Sequence, residues 1–286
     1  PVDSLFVRPF VTTIGGDTVY GNQIAIANED PNRNHIYNFS TDSGDFSPEN
    51  YTITTTSEIT FQNIISLRNL NWEYESPNYS NIVIVNFPSL DRIERNFILK
   101  YEYSLREFNA PKLREISQRL IVNNNNIEKF LLPELQKNGS REGSISNNEK
   151  LNELDLSSWE GSNSRYYNFF IRNNDSLIEI NLDSFYEYRG GNGGSDAPLI
   201  IFENLNLKII RFGTDLDLEA RITIHGNENL EEINFTNLTK VQSGQIEIYN
   251  NQSLKKINFD SLKSSNDVKD KDYWHEPYIL ISNNKL

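Results

Sequence analysis

The chain has 286 residues, a formal charge of −13 and no cysteine, which disfavours nucleic acid and anionic membrane as partners and excludes a disulfide framework or a thiolate metal site. Length alone allows one or two domains, and no apolar run of signal-peptide or membrane-spanning length is present. Methionine is also absent, which reads as a processed chain or a fragment.

Residues 1–21 show no repeat and are expected to form an N-terminal cap over the open end of a repeat array. The first strand is expected in QIAIAN, with Ile24 and Ile26 inward. A polar excursion occupies the region near 29–56, then comes EITFQN with Ile59 and Phe61, then a second excursion near 64–80. Regular units then start at Phe97, Leu120, Ile145 and Phe169. A Gly-rich segment, RGGNGGS, lies in the excursion near 186–197, and LIIFENLNLKIIRF restarts the pattern at Leu199. The most regular stretch is 221–262, which superimposes on itself with a shift of 24 residues. Ile222 and Ile224 fall on Ile246 and Ile248, and Leu230, Ile233, Phe235 and Leu238 fall on Leu254, Ile257, Phe259 and Leu262. The last excursion lies near 264–277, and YILISNNKL supplies the first half of one more unit.

A fixed period in the range of about 20–50 residues signals a solenoid, and the I-x-I alternation is that of a strand rather than a helix. Strand starts fall near residues 24, 59, 97, 120, 145, 169, 199, 222, 246 and 279. The expected fold is mostly β: a right-handed parallel β solenoid of about ten coils with loop insertions, occupying 22–286. Ile222, Ile224, Ile233, Ile246, Ile248 and Ile257 are expected to be buried. Asn28, Asn63, Asn123, Asn147, Asn173, Asn204, Asn227, Asn250 and Asn283 come one or two residues after the strands and are expected to form a ladder at one turn. There their amides would pair backbone groups freed by the bend. Eight N-x-S/T sequons, among them Asn138, Asn174 and Asn251, carry little weight in a chain this rich in Asn, Ser and Thr.

FPSLDRIERNFILKYEYSLREFNAPKLREI, residues 87–116, resembles the coils of the receptor L domain of growth-factor receptors and fungal cell-wall proteins, and of divergent leucine-rich-repeat surface proteins of bacteria. The resemblance covers roughly 57–286. It implies a parallel β solenoid and an extracellular, non-catalytic recognition or wall-associated role. Two departures stand out: the family's Cys-based caps are missing, and several coils carry loops without a counterpart.

Candidate chemistry is sparse. Asp215, Asp217 and Glu219 share one face of an extended segment and are the candidates for a metal or an acid/base pair. Leu216 and Leu218 are the inward positions there, so these acids fall on the solvated side. His35, His225 and His275 lie in different coils without metal-ligand spacing. GGNGG precedes no helix and no Lys-Ser/Thr, so it is not a phosphate cradle. Neither catalytic residues nor a cofactor are implied.

A row of apolar residues occupies outward positions: Ile98, Leu120, Phe170, Ile200 and Leu280. Either a loop or the N-terminal segment covers it, or it meets a partner. Ligand contacts are expected on this face and in the aromatic loops, which singles out Trp72, Tyr74, Phe170, Arg172, Phe202, His225, Tyr249 and Trp274. His225 faces outward and lies beside Arg172 and Tyr249 if the intervening coils allow it. The expectation is a non-enzymatic extracellular surface protein, an adhesion, recognition or assembly scaffold for a protein or glycan ligand; the alternative is a carbohydrate-binding or carbohydrate-active β-helix protein. The half coil at the end implies that the chain continues past Leu286 or stacks end to end on another copy or domain.

Overall fold

The computed structural model describes residues 58–73, 83–101, 104–139, 143–162, 168–185, 199–213, 221–241, 245–263 and 278–285, together with the backbone of Leu216–Leu218 and of short strands within 5–46. Every regular element among them is a β-strand. Two long sheets of ten parallel strands face one another across the core. The first runs from Asp45–Phe46 and Asn69–Glu73 through Phe97–Lys100, Leu120–Asn123, Gly143–Ser146, Phe169–Arg172, Leu199–Phe202, Arg221–His225 and Gln245–Tyr249 to Tyr278–Ser282. The second runs from His35–Asn38 and Glu58–Gln62 to Glu232–Asn234 and Lys256–Asn258. A short third sheet stacks five two-residue strands, Ser66–Leu67 to Gly161–Ser162.

One coil shows the path. Phe97–Lys100 lies in the first sheet, Glu107–Asn109 in the second and Glu115–Ile116 in the third, and Leu120–Asn123 returns to the first beside Phe97–Lys100. The protein is therefore a parallel β solenoid, and its coils up to Gly161–Ser162 are three-sided. Alternation explains how each coil closes: side chains at every second strand position point inward, so Phe97 and Leu99 stack on Leu120 and Val122, and Ile222 and Ile224 on Ile246 and Ile248. All eight are fully buried. Of the six isoleucines expected in the core, five are fully buried, and Ile257 packs half-buried against it. Aromatic rings form a spine through the coils, Phe61 on Phe87 at 4.8 Å and Phe212 on Phe235 at 4.6 Å.

Three strand positions differ from the sequence reading. Ile24–Ile26 pairs antiparallel with Leu5–Val7 instead of entering the solenoid sheets. Glu58–Gln62 belongs to the second sheet, and the first-sheet strand of that coil is Asn69–Glu73, inside the expected excursion near 64–80. His35–Asn38 and Asp45–Phe46, inside the expected excursion near 29–56, are the first strands of the two long sheets. Each strand is too short or too polar to announce itself, and an isolated I-x-I does not say which sheet it joins.

The asparagines form a ladder, one residue later than expected in most coils. It consists of Asn125, Asn148, Asn174, Asn204, Asn227, Asn251 and Asn284. Each side chain reaches back: the Nδ2 of Asn174 donates to the Ile145 carbonyl at 2.9 Å, and that of Asn227 to the Ile201 carbonyl at 3.0 Å. From Asn148 onward each Oδ1 accepts two bonds from the rung before, so Asn174 Oδ1 takes the Asn148 backbone N–H and its Nδ2. Asn204 and Asn227 are rungs as expected. Asn147, Asn173, Asn250 and Asn283 sit one residue earlier with positive φ, between 52° and 56°, where the chain leaves the strand. Asparagine tolerates that left-handed conformation better than most residues. Asn123 ends a strand and Asn63 turns the chain out of the second sheet, so neither is a rung. Full burial of Asn174 and Asn251 also removes those two sequons from the folded surface.

Two glycines are needed for close packing of successive coils. A Cβ at Gly139 would lie 1.7 Å from the Ser117 carbonyl oxygen, and one at Gly213 would lie 1.4 Å from that of Asp183.

Candidate functional site

The outward face of the first sheet is fixed by the same alternation that fills the core. Two outward columns run along it. One contains Ile98, Ile121, Ser144, Phe170, Ile200, Thr223, Glu247 and Leu280, and the other Lys100, Asn123, Ser146, Arg172, Phe202, His225, Tyr249 and Ser282. Leu120 does not belong to the apolar row. It pairs with Phe97 and is fully buried, and Ile121 takes the outward place beside Ile98. The column changes character along the sheet: Leu280 is 48% exposed, whereas Glu247 beside it is 9% exposed.

In the second column, ring faces stack in a line. Phe202 lies on His225 at 4.9 Å with planes 14° apart, and His225 on Tyr249 at 4.8 Å with planes 3° apart. The Arg172 guanidinium extends the row, 5.4 Å from the Phe202 ring centre and 6.0 Å from that of Phe170. The spacing is that of neighbouring strands, about 4.8 Å. Identical positions on successive coils therefore stack their rings without further adjustment. Phe170, Phe202, His225 and Tyr249 are half-buried and Arg172 is exposed. Burial between the two rings holds the His225 pKa below its ordinary value, with Glu203 pulling the other way. An imidazole stacked on both faces and neutral presents its ring edge rather than a charge.

Next to this row lies a shallow depression of 340 Å³ lined by Lys100, Ile121, Asn123, Ser144, Phe170 and Arg172. Its floor is apolar, and its rim carries a cation at each end. At the far side of the sheet Glu247 accepts hydrogen bonds from the Tyr278 hydroxyl and, at 2.6 Å, from the Arg221 guanidinium. Burial pushes the Glu247 carboxyl upward, but the bonds from Tyr278 and Arg221 outweigh it and hold it below the usual carboxylate range. The same contacts raise the pKa values of Tyr278 and Arg221. This cluster ties the strand Tyr278–Ser282 to its neighbours.

The sequence candidates divide accordingly. Phe170, Arg172, Phe202, His225 and Tyr249 come together on one face, although they span four coils. Trp72 does not join them: it is an inward residue of Asn69–Glu73 and fully buried, because Leu70 and Trp72 are the alternating core pair of that strand. Tyr74, Trp274, Asp215 and Glu219 lie outside the described residues, and of Asp217 only the strand backbone is described. Among the described residues no group of three or more His, Asp or Glu side chains could hold a metal ion. Lys100, Asn123 and Ser144 are absent from the sequence candidates. Their signal was positional: each occupies the coil offset that holds Arg172 or Phe170 one to three coils on.

The strands Leu199–Phe202 to Lys256–Asn258 carry three of the row's rings, and this is also the segment that compares with known proteins. The model of the family described as Receptor L domain matches residues 197–266. This part of the solenoid is L-domain-like. The match contains Phe202, His225 and Tyr249, and the coils before it continue the same two long parallel sheets. Comparisons with curated proteins and with solved structures found no match. No helix among the described residues is long and apolar enough to cross a membrane.

Proposed function

We propose that this protein is a non-enzymatic recognition domain of a cell surface or the extracellular space, and that it binds a protein or glycan ligand on the outward face of the first sheet. One observation carries the reading: the half-exposed row Arg172–Phe202–His225–Tyr249, stacked along a rigid sheet and overlapping the receptor L domain match. Ring edges held at fixed spacing by stacking offer a rigid, largely apolar contact surface with little ordering cost. Adhesion or assembly is the use such a face would serve. A carbohydrate-binding role is the second reading, favoured by the depression beside the row, whose size is near the lower end of the range of about 300–1,000 Å³ usual for small-ligand sites.

The test is a glycan array together with a pull-down of extracellular proteins, run on the wild type and on the Phe202→Ala/Tyr249→Ala double variant. The ligand should bind the wild type and lose about 10-fold or more in affinity to the variant. A turnover assay on polysaccharides should show no product. Turnover that is lost on changing Asp215, Asp217 and Glu219 to Asn, Asn and Gln would overturn the non-enzymatic reading.

A further inference from the structure

The depression is lined by hydrogen-bond donors in a chain that carries 40 acidic against 27 basic residues. Of its six lining residues none is acidic. Arg172 stands over the Phe202 and Phe170 rings, and among the described residues it meets no carboxylate. Asn123 is oriented by a relay: Ser144 Oγ donates to Ser146 Oγ at 3.0 Å, and Ser146 Oγ donates to Asn123 Oδ1 at 2.9 Å. Both hydroxyl protons are thereby spent on the relay, and the acceptor end of the amide is occupied. Its Nδ2 hydrogens are left for whatever fills the depression. Asn123 and Arg172 stand in one column two strands apart, about 9.5 Å between backbones, within reach of a single ligand.

Two planar donors, a guanidinium and an amide, suit a planar carboxylate, which the guanidinium can take in a two-pronged bond. A tetrahedral phosphate is better served by clustered backbone N–H groups; here the strand N–H groups are consumed in the parallel ladders. The floor of Ile121 and Phe170 suits the C–H face of a sugar ring, and the volume suits one or two rings. We infer that the depression binds a carboxylate-bearing sugar, a uronate-type residue, seated on Phe170 and Ile121 with its carboxylate between Arg172 and the Asn123 amide. This deepens the recognition reading and rests on it.

The experiment is a titration with saturation-transfer NMR, using a glucuronate-terminated oligosaccharide, the same oligosaccharide with its carboxyl reduced to the alcohol, and a poly-glutamate peptide. The acid form should bind the wild type. Arg172→Gln should weaken it about 10- to 100-fold and Asn123→Ala about fivefold, with Arg172→Lys in between. The reduced form should bind alike to wild type and Arg172→Gln. Arg172 is exposed, so an unchanged thermal midpoint will separate its effect from misfolding; Asn123→Ala also unpairs the buried Ser146 hydroxyl and should lower the midpoint, so its binding is read well below that midpoint. Equal binding of acid and reduced forms, no effect of Arg172→Gln, or tighter binding of the peptide would overturn the proposal. If another ligand binds and is lost in Phe202→Ala/Tyr249→Ala but not in Arg172→Gln, the recognition reading stands and the uronate site falls. If no sugar, peptide or protein binds, both fall.

Discussion

Asn174 shows how much one side chain does in this fold. It satisfies the Ile145 carbonyl, the Asn148 backbone N–H and the Asn148 amide, all buried. Asn174→Ala removes the partners of the Ile145 carbonyl and the Asn148 N–H, at on the order of 1–3 kcal/mol each where water cannot reach, while the Asn148 amide keeps its bond to the Val122 carbonyl. Urea unfolding should show a loss of about 2–4 kcal/mol. The ladder was only half legible in the sequence, because most coils carry two asparagines in succession, such as Asn147–Asn148 and Asn173–Asn174. The tie is broken only where one is present: Glu203 precedes Asn204, and Gly226 precedes Asn227, so the rung is the second position. His225 carries a different prediction. Its folded pKa lies below the ordinary value of 6.5 because burial disfavours the imidazolium. The unfolded chain therefore takes up protons first, and stability present above pH 6.5 falls as pH drops toward the folded value. His225→Phe keeps the stack and removes this proton. Urea midpoints at pH 7.5 and 5.5 should fall less on acidification in the variant than in the wild type.

At the scale of the strand, position in the coil decides the cost of a change. Ile248 is fully buried between coils, and Ile248→Ala should cost about 2–5 kcal/mol. Ile257 is only half-buried, so Ile257→Ala should cost clearly less in the same urea series. This register was readable from the period of 24 because core positions must repeat. The outward columns were not, because nothing in the core constrains them: Ile121 and Leu120 are both aliphatic, and only the pairing with Phe97 shows which one faces in. The strand Tyr278–Ser282 depends on a contact no pattern announces, the Glu247 carboxylate between Tyr278 and Arg221. The folded pKa of Glu247 is depressed, so its contribution is present above the unfolded carboxylate value and lost as pH falls through the folded one. Glu247→Gln should lower hydrogen-exchange protection at residues 279–282 at neutral pH, while protection at 222–224 stays. Equal loss at both places would show that Glu247 supports the whole sheet instead.

Across the whole molecule, loop length and axial distance are decoupled. The rungs are separated by 23, 26, 30, 23, 24 and 33 residues, yet every Nδ2 to Oδ1 contact between them is 3.1–3.3 Å. A coil of any contour length advances the solenoid by one strand spacing. Adding six Gly/Ser residues within 186–198 should thus cost only a few tenths of a kcal/mol, because closure entropy grows slowly with length. It should also leave ligand affinity within about twofold, since that cost falls on folding rather than on binding. Urea unfolding would check the first and a calorimetric titration the second, and a large loss of affinity would place that segment in the binding surface. The protein measures distance in coils, not in residues. Its outward face works as a ruler with marks about 4.8 Å apart, on which Arg172, Phe202, His225 and Tyr249 keep their places while the chain between marks is free to lengthen, diversify and acquire new contacts.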